Sequence, residues 1–122
     1  MRTTNILIVD DEFLVLLSLQ HELELLGFSS FELAGTVAEA QTLLRSKTID
    51  LAFLDVNLGS ETSYDIADEL DALGIPYAFV TGYGHQGIAS SYRDKPIAPK
   101  PITAGGLKQA LDQATYDTAR LN

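Results

Sequence analysis

Three aspartates, a hydroxyl and an ammonium stand at points of this chain where chemistry is commonly built. Asp10 and Asp11 follow the apolar run Asn5-Ile6-Leu7-Ile8-Val9, and Asp55 follows the run Ile49-Asp50-Leu51-Ala52-Phe53-Leu54. Thr81 ends the run Tyr77-Ala78-Phe79-Val80, and Lys100 follows Lys95-Pro96-Ile97-Ala98-Pro99. Carboxylates are hard oxygen donors, and Mg²⁺ takes one or two of them together with waters and phosphate oxygens. A carboxylate also attacks phosphorus to form an aspartyl phosphate. An ammonium beside it neutralises charge on a transferring phosphoryl group. The set therefore suits a divalent cation and a phosphoryl group, provided the fold gathers it at one place.

Each part has an ordinary reading. Asp11 and Glu12 are favourable charges for a helix N-terminus, and Glu12 is assigned mainly to that role. A lone Asp55 is a strand-end turn carboxylate, a lone Lys100 is a solvated lysine, and threonine is common in strands. The ordinary readings weaken because Asp10 and Asp55 end neighbouring strands. Two carboxylates about 4 Å apart repel by roughly 4 kcal/mol at an effective dielectric of 20, a cost that a cation offsets. The Lys100-Pro101 bond is open to either isomer.

The elements that must position these groups alternate, strand then helix, five times. Apolar runs of about five residues predict buried strands, and charged groups at their carboxyl ends lie on the edge where open α/β sheets build sites. After the first strand, Phe13, Leu16, Leu19, Leu23 and Leu26 recur at helical spacing, with Gly27 as the stop. A short second strand is expected around 31–34. Thr36-Val37-Ala38-Glu39 predicts a capping box opening a helix that carries Ala40, Leu43 and Leu44. Asn57-Leu58-Gly59-Ser60 reads as loop. Ile66, Leu70 and Leu73 mark the next helix, closed by Gly74.

Beyond Thr81, Gly82, Gly84 and Gly87 each weaken a helix by about 1 kcal/mol relative to alanine. A short or mobile fourth helix is expected, with low protection between Gly82 and Lys95. Pro96 and Pro99 restrict the fifth strand to a sheet edge. Leu107, Ala110, Leu111 and Ala114 form the last helix. Right-handed crossovers then give an α/β fold, a doubly wound, five-stranded parallel sheet in flavodoxin-like order 2-1-3-4-5 with helices on both faces.

The 122 residues are enough for one domain, 1–122, and not for two. A hydrophobic share of 46% predicts a globular fold rather than disorder. A net charge of −9 opposes binding to nucleic acid. No apolar run approaches the roughly 20 residues of a membrane span. The absence of cysteine and of room for a signal peptide before Asn5 fits a cytoplasmic protein. A monomer is expected, with no output domain after Leu111.

Taken together, these residues resemble the response-regulator receiver domain over essentially the whole chain. The resemblance implies two-component phosphorelay signalling, with Asp55 as phosphoacceptor for a histidine kinase or histidine phosphotransfer protein. It implies Mg²⁺ as cofactor, held by Asp10, Asp11, Asp55 and the backbone carbonyl of Asn57. It also implies that Thr81 is the hydroxyl that reorients toward the phosphoryl group, that Lys100 is the family lysine, and that an unknown downstream protein reads the change. Phe79-Val80-Thr81-Gly82-Tyr83, with Asn57-Leu58-Gly59 and Thr62-Ser63-Tyr64, is similar to the FATGUY subfamily of largely single-domain regulators. Ordinary receivers carry a switch aromatic three residues before the lysine, where this chain has Ile97, and many have phenylalanine where it has Ile102. Tyr83 is therefore a candidate substitute switch, set against an ordinary half-buried loop tyrosine.

Three other readings compete. A flavodoxin-like cofactor binder needs a hydroxyl- and glycine-rich phosphate loop after the first strand, where Asp10-Asp11-Glu12 would repel phosphate. An aspartate-nucleophile phosphatase typically carries a second acid two residues past the nucleophile, where this chain has Asn57. A receiver-fold interaction module or phosphate sink, acting without a phosphorylation-driven output, is the alternative that keeps the same fold.

Overall fold

The computed structural model describes residues 3–121. Five strands form the main sheet: β1 (Asn5–Val9), β2 (Ser30–Ala34), β3 (Leu51–Asp55), β6 (Tyr77–Thr81) and β7 (Ile97–Pro99). Two more, β4 (Asn57–Leu58) and β5 (Glu61–Thr62), pair antiparallel as a separate small hairpin. The main order is β2-β1-β3-β6-β7, with every pair parallel. Setting the hairpin aside, this is the expected flavodoxin-like 2-1-3-4-5 arrangement.

Alternation divides each central strand between two cores. Leu7, Val9, Leu54 and Phe79 pack on the face shared with α2 (Val37–Ser46) and α3 (Tyr64–Leu73). Ile6, Ile8, Phe53 and Val80 pack on the face shared with α1 (Phe13–Leu25) and α4 (Ala104–Leu121). Both faces of β1, β3 and β6 are thus covered, which is why their sequences are continuously apolar. Every parallel strand then ends at the same edge.

Several local expectations change. Asn57 and Leu58 are strand rather than loop. The turn at Gly59, with φ +70°, uses a left-handed conformation that glycine adopts without strain. Leu58 inserts into the α2/α3 core, and that burial holds so short a hairpin in place. Phe13 is 65% exposed, because the helix begins there, beyond the sheet surface that covers Leu16, Leu19 and Leu23. Leu73, in the last position of α3, is likewise exposed. In α2 the Thr36 hydroxyl accepts from the Glu39 N–H at 3.1 Å. The Glu39 carboxylate accepts from Gly35 rather than Thr36, at 2.9 Å, so the capping box closes one residue early.

Two short 3₁₀ turns, Gly84–Gly87 and Ser90–Tyr92, stand in place of a fourth helix. The first half of this connection carries the glycines. The second half is fastened, against the expectation of low protection throughout. Ile88 is buried in the α2/α3 core. The Ala89 N–H donates to the Tyr64 hydroxyl at 2.8 Å, and the Tyr92 ring stacks on Tyr64 at 4.5 Å. The Tyr92 hydroxyl donates to Asp68 Oδ1 at 2.7 Å, a bond that pushes its pKa up to about 12. Tyr77 donates to Asp71 at 3.0 Å, and Lys95 reaches the same carboxylate at 3.3 Å. Three tyrosines and two α3 aspartates thus tie this stretch to the body.

Candidate functional site

Asp10 ends the run of β1 and Asp55 is the last residue of β3, its neighbour in the sheet. Asp11 is the next residue after Asp10, in the turn before α1. Carboxylate oxygens of all three lie within 4.8 Å of one another. They differ sharply in exposure: Asp10 is fully buried, Asp55 half-buried and Asp11 exposed.

The β1 exit loop fixes Asp10. Its backbone N–H donates to Ala34 at 3.0 Å, and Asp10 Oδ1 accepts from the Glu12 N–H at 2.9 Å. Glu12 occupies the N-cap position of α1, where its side chain makes no capping hydrogen bond. Asp10 Oδ2 accepts no hydrogen bond among the described residues. A buried carboxylate oxygen left this way is costly, and its nearest cation is Lys100 Nζ at 3.7 Å. An exposed partner carboxylate, Asp11, and this unsatisfied oxygen make a hard-donor set that fits Mg²⁺.

Lys100 follows β7, and its peptide bond to Pro101 is cis. Its ammonium lies 3.4 Å from Asp55 Oδ1. Burial, and then the Asp10 charge, push the Asp55 pKa up to about 6, with Lys100 opposing the rise. Asp10 is also raised, chiefly by burial, with the Glu12 N–H and Lys100 pulling the other way. The excess negative charge is therefore only partly compensated by the lysine.

Thr81, at the end of β6, is nearly buried. Its hydroxyl oxygen accepts from the Tyr83 backbone N–H at 3.1 Å. Asn57 begins β4, two residues past Asp55, with an exposed side chain. Tyr83 is 77% exposed rather than half-buried. Ile97 pairs in register with Phe79 and packs, partly buried, against the α2/α3 core. The structure thus brings Asp10, Asp11, Asp55 and Lys100 together, while Tyr83 stands outward and Ile97 inward.

Sequence reasoning missed Gly87. A Cβ there would stand 2.6 Å from Tyr83 Cβ and 3.2 Å from Thr81 Oγ1. The only signal was one more glycine in a glycine-rich stretch. The Ser63 hydroxyl also went unnoticed: it is buried at the start of α3 and has no hydrogen-bond partner among the described residues.

Known proteins share this frame. The solution structure of SdrG from Sphingomonas melonis Fr1 superposes with a TM-score of 0.83 at 39% identity, covering 94% of this chain and 99% of that one. The BeF3-activated conformation of SdrG from Pseudomonas melonis Fr1 gives 0.76 at 40% identity, covering 93% and 98%. The sensory transduction protein LytR of Streptococcus mutans serotype c is 34% identical over 117 residues, which cover 88% of this chain. The match spans 46% of LytR, so the chain corresponds to about half of that relative. The family model described as the response regulator receiver domain matches residues 6–112. That span runs from β1 into α4 and takes in all five main strands, and the chain belongs to the response regulator receiver domain family.

Proposed function

We propose that this chain accepts a phosphoryl group on Asp55 from the phosphohistidine of a histidine kinase or phosphotransfer protein, and so acts as a switch in two-component signalling. The observation that carries this reading is the Asp55 carboxylate, grouped with Asp10 and Asp11 and contacted by the Lys100 ammonium at 3.4 Å. An Asp55 oxygen attacks phosphorus, the new O–P bond forms as the P–N bond breaks, and the departing imidazole nitrogen takes a proton from solvent. Attack requires the ionised carboxylate. With a pKa near 6, Asp55 is mostly ionised at neutral pH and more basic than an ordinary aspartate.

Asp10 and Asp11, with Asp55 and the Asn57 backbone carbonyl, would hold Mg²⁺. When bound, the ion supplies positive charge to the phosphoryl oxygens. Lys100 supplies charge from the β7 side, and Thr81 offers a hydroxyl at the end of β6. In this reading the whole of 1–122 is one receiver domain, a cytoplasmic phosphoacceptor rather than an enzyme with a separate substrate. The run Phe79-Val80-Thr81-Gly82-Tyr83 supports a place in the FATGUY subfamily. No helix among the described residues is long and apolar enough to cross a membrane.

Output passes through Tyr83 rather than Ile97. The Tyr83 N–H is bonded to the Thr81 hydroxyl and its ring is exposed, whereas Ile97 has no polar group to expose. Mass spectrometry after incubation with a phosphorylated histidine kinase and Mg²⁺ tests the central step. One added phosphoryl group is expected on the native chain and none on Asp55→Asn. Equal labelling of that variant would remove Asp55 from the role.

A further inference from the structure

Gly87 lies against two atoms that the switch must move. A Cβ built on it would stand 2.6 Å from Tyr83 Cβ, 3.2 Å from Thr81 Oγ1 and 3.4 Å from Tyr83 Cγ. The first distance is shorter than real Cβ contacts allow. The obstructing atom is held next to the backbone, so it cannot swing aside like the end of a long side chain. The same Thr81 hydroxyl is the acceptor for the Tyr83 N–H at 3.1 Å. One turn, Gly84–Gly87, therefore folds back onto the threonine and the tyrosine together, and only a residue without a side chain permits it.

We propose that Gly87 is a positioning residue that holds the Thr81 hydroxyl on the Tyr83 N–H in the resting protein, so that the Gly84–Gly87 turn reports which way that hydroxyl faces. This rests on the reading of Asp55 as phosphoacceptor. When a phosphoryl oxygen on Asp55 draws the hydroxyl toward itself, the Tyr83 N–H loses its acceptor. The turn then loses the Tyr83–Thr81 hydrogen bond that fixed the chain just before it. Movement is confined to the glycine-rich half of the connection. Its other half is held by Ile88 in the core and by the Tyr64–Tyr92 stack. A local event at Thr81 thus becomes a displacement of an exposed turn and an exposed tyrosine, with the rest of the domain fixed.

The device makes an unusual demand on sequence. A methyl group at position 87 disfavours the closed arrangement and leaves the charged site untouched. Part of the cost of activation is then met in advance, and a ligand that prefers the active state binds more tightly in proportion to the larger competent population.

The test uses the full chain, with beryllofluoride and Mg²⁺ as the phosphoryl mimic. In the native chain the Tyr83 amide should exchange slowly with solvent and lose that protection when beryllofluoride binds. In Gly87→Ala, Tyr83 should exchange about tenfold faster without ligand. Its resonance should move along the line joining the free and bound native positions, and beryllofluoride should bind about three- to tenfold more tightly. Gly105→Ala, where a Cβ meets nothing within 4 Å, should match the native chain in all three. If native Tyr83 keeps its protection on binding beryllofluoride, the gate is wrong, whether or not Gly87→Ala folds. A Gly87→Ala protein with native affinity, or weaker affinity, also overturns it. Failure of the native chain to bind beryllofluoride at all overturns the phosphoacceptor reading, and the gate with it.

Discussion

Lys100, one residue past β7, places its ammonium 3.4 Å from Asp55 at the end of β3. In the sheet, β6 runs between those two strands, so the lysine spans the end of the strand that carries Thr81. The hydroxyl at the end of β6 is thereby set between the strand of Lys100 and the strand of Asp55.

That compensation by one cation is incomplete, and the deficit predicts metal-dependent stability. Asp10, Asp11 and Asp55 crowd three carboxylates around a single ammonium. At a hundredfold excess over its dissociation constant, a cation binding only the native state adds about 2.7 kcal/mol. Denaturation in Mg²⁺ should show a gain of that order over EDTA. In Asp11→Asn the gain should fall to a small fraction. An undiminished gain in that variant would place the ion elsewhere.

The raised pKa of Asp55 sets a pH dependence whose sign follows from linkage. The folded carboxyl holds its proton up to about pH 6, whereas the ordinary value is 3.8. The folded state therefore binds more protons than the unfolded one between those values. The stability this confers is complete below about pH 4 and is lost as pH rises through about 6. In EDTA, Asp55→Asn should stabilise the fold at neutral pH by about 1–3 kcal/mol and do little near pH 4. Urea titrations at the two pH values read the difference; a constant offset would contradict the raised pKa.

In the phosphoacceptor reading, a phosphodonor protein must also find this site. Phe13, Leu14 and Leu17 are 65%, 76% and 42% exposed on the opening turns of α1, which starts three residues after Asp10. Large apolar side chains grouped in the open mark interaction surfaces. Phe13→Ala with Leu14→Ala should slow transfer from a histidine kinase roughly tenfold, as removal of a binding anchor does. Transfer from acetyl phosphate, which needs no docking, should stay within about twofold. Equal slowing of both reactions would point to damage at the acidic site instead.

The tyrosine fastening of the second half of the β6–β7 connection can be tested apart from signalling. Tyr92→Phe removes the 2.7 Å bond to Asp68 and keeps the stack on Tyr64. A loss of about 0.5–1.5 kcal/mol is expected for one such bond. Amide exchange should quicken across 88–95 and remain fast, as in the native chain, across 84–87, beyond the Tyr83 amide that the Thr81 hydroxyl protects. Uniform exchange over both stretches in the native chain would show that the division does not exist.

The placement of the acidic residues was legible because it depends on local order. A buried parallel strand shows itself as an apolar run, and the residue that follows it lands on the site edge; Asp10, Asp55 and Thr81 were placed by that rule alone. What escaped depends on residues far apart in sequence. The glycines after Thr81 suggested a loose connection, but Tyr64, 25 residues before Ala89, holds its second half. The β4–β5 hairpin escaped because five of its six residues are polar or glycine, and its one anchor, Leu58, has no periodic partner. Phe13 fitted the helical period of Leu16, Leu19 and Leu23. Periodicity gives the direction of a side chain and says nothing about where the neighbouring surface stops.

The short outer strand β7 has a last consequence. Pro99 lies within it and Pro96 just before it, and neither has an amide hydrogen to offer. Three residues interrupted in this way are a poor template for an incoming strand. A protein that approaches the sheet from that margin cannot extend it by main-chain pairing, the mode of recognition least sensitive to sequence. It has to engage side chains, and partner choice on this flank is therefore written in residues that single substitutions can alter.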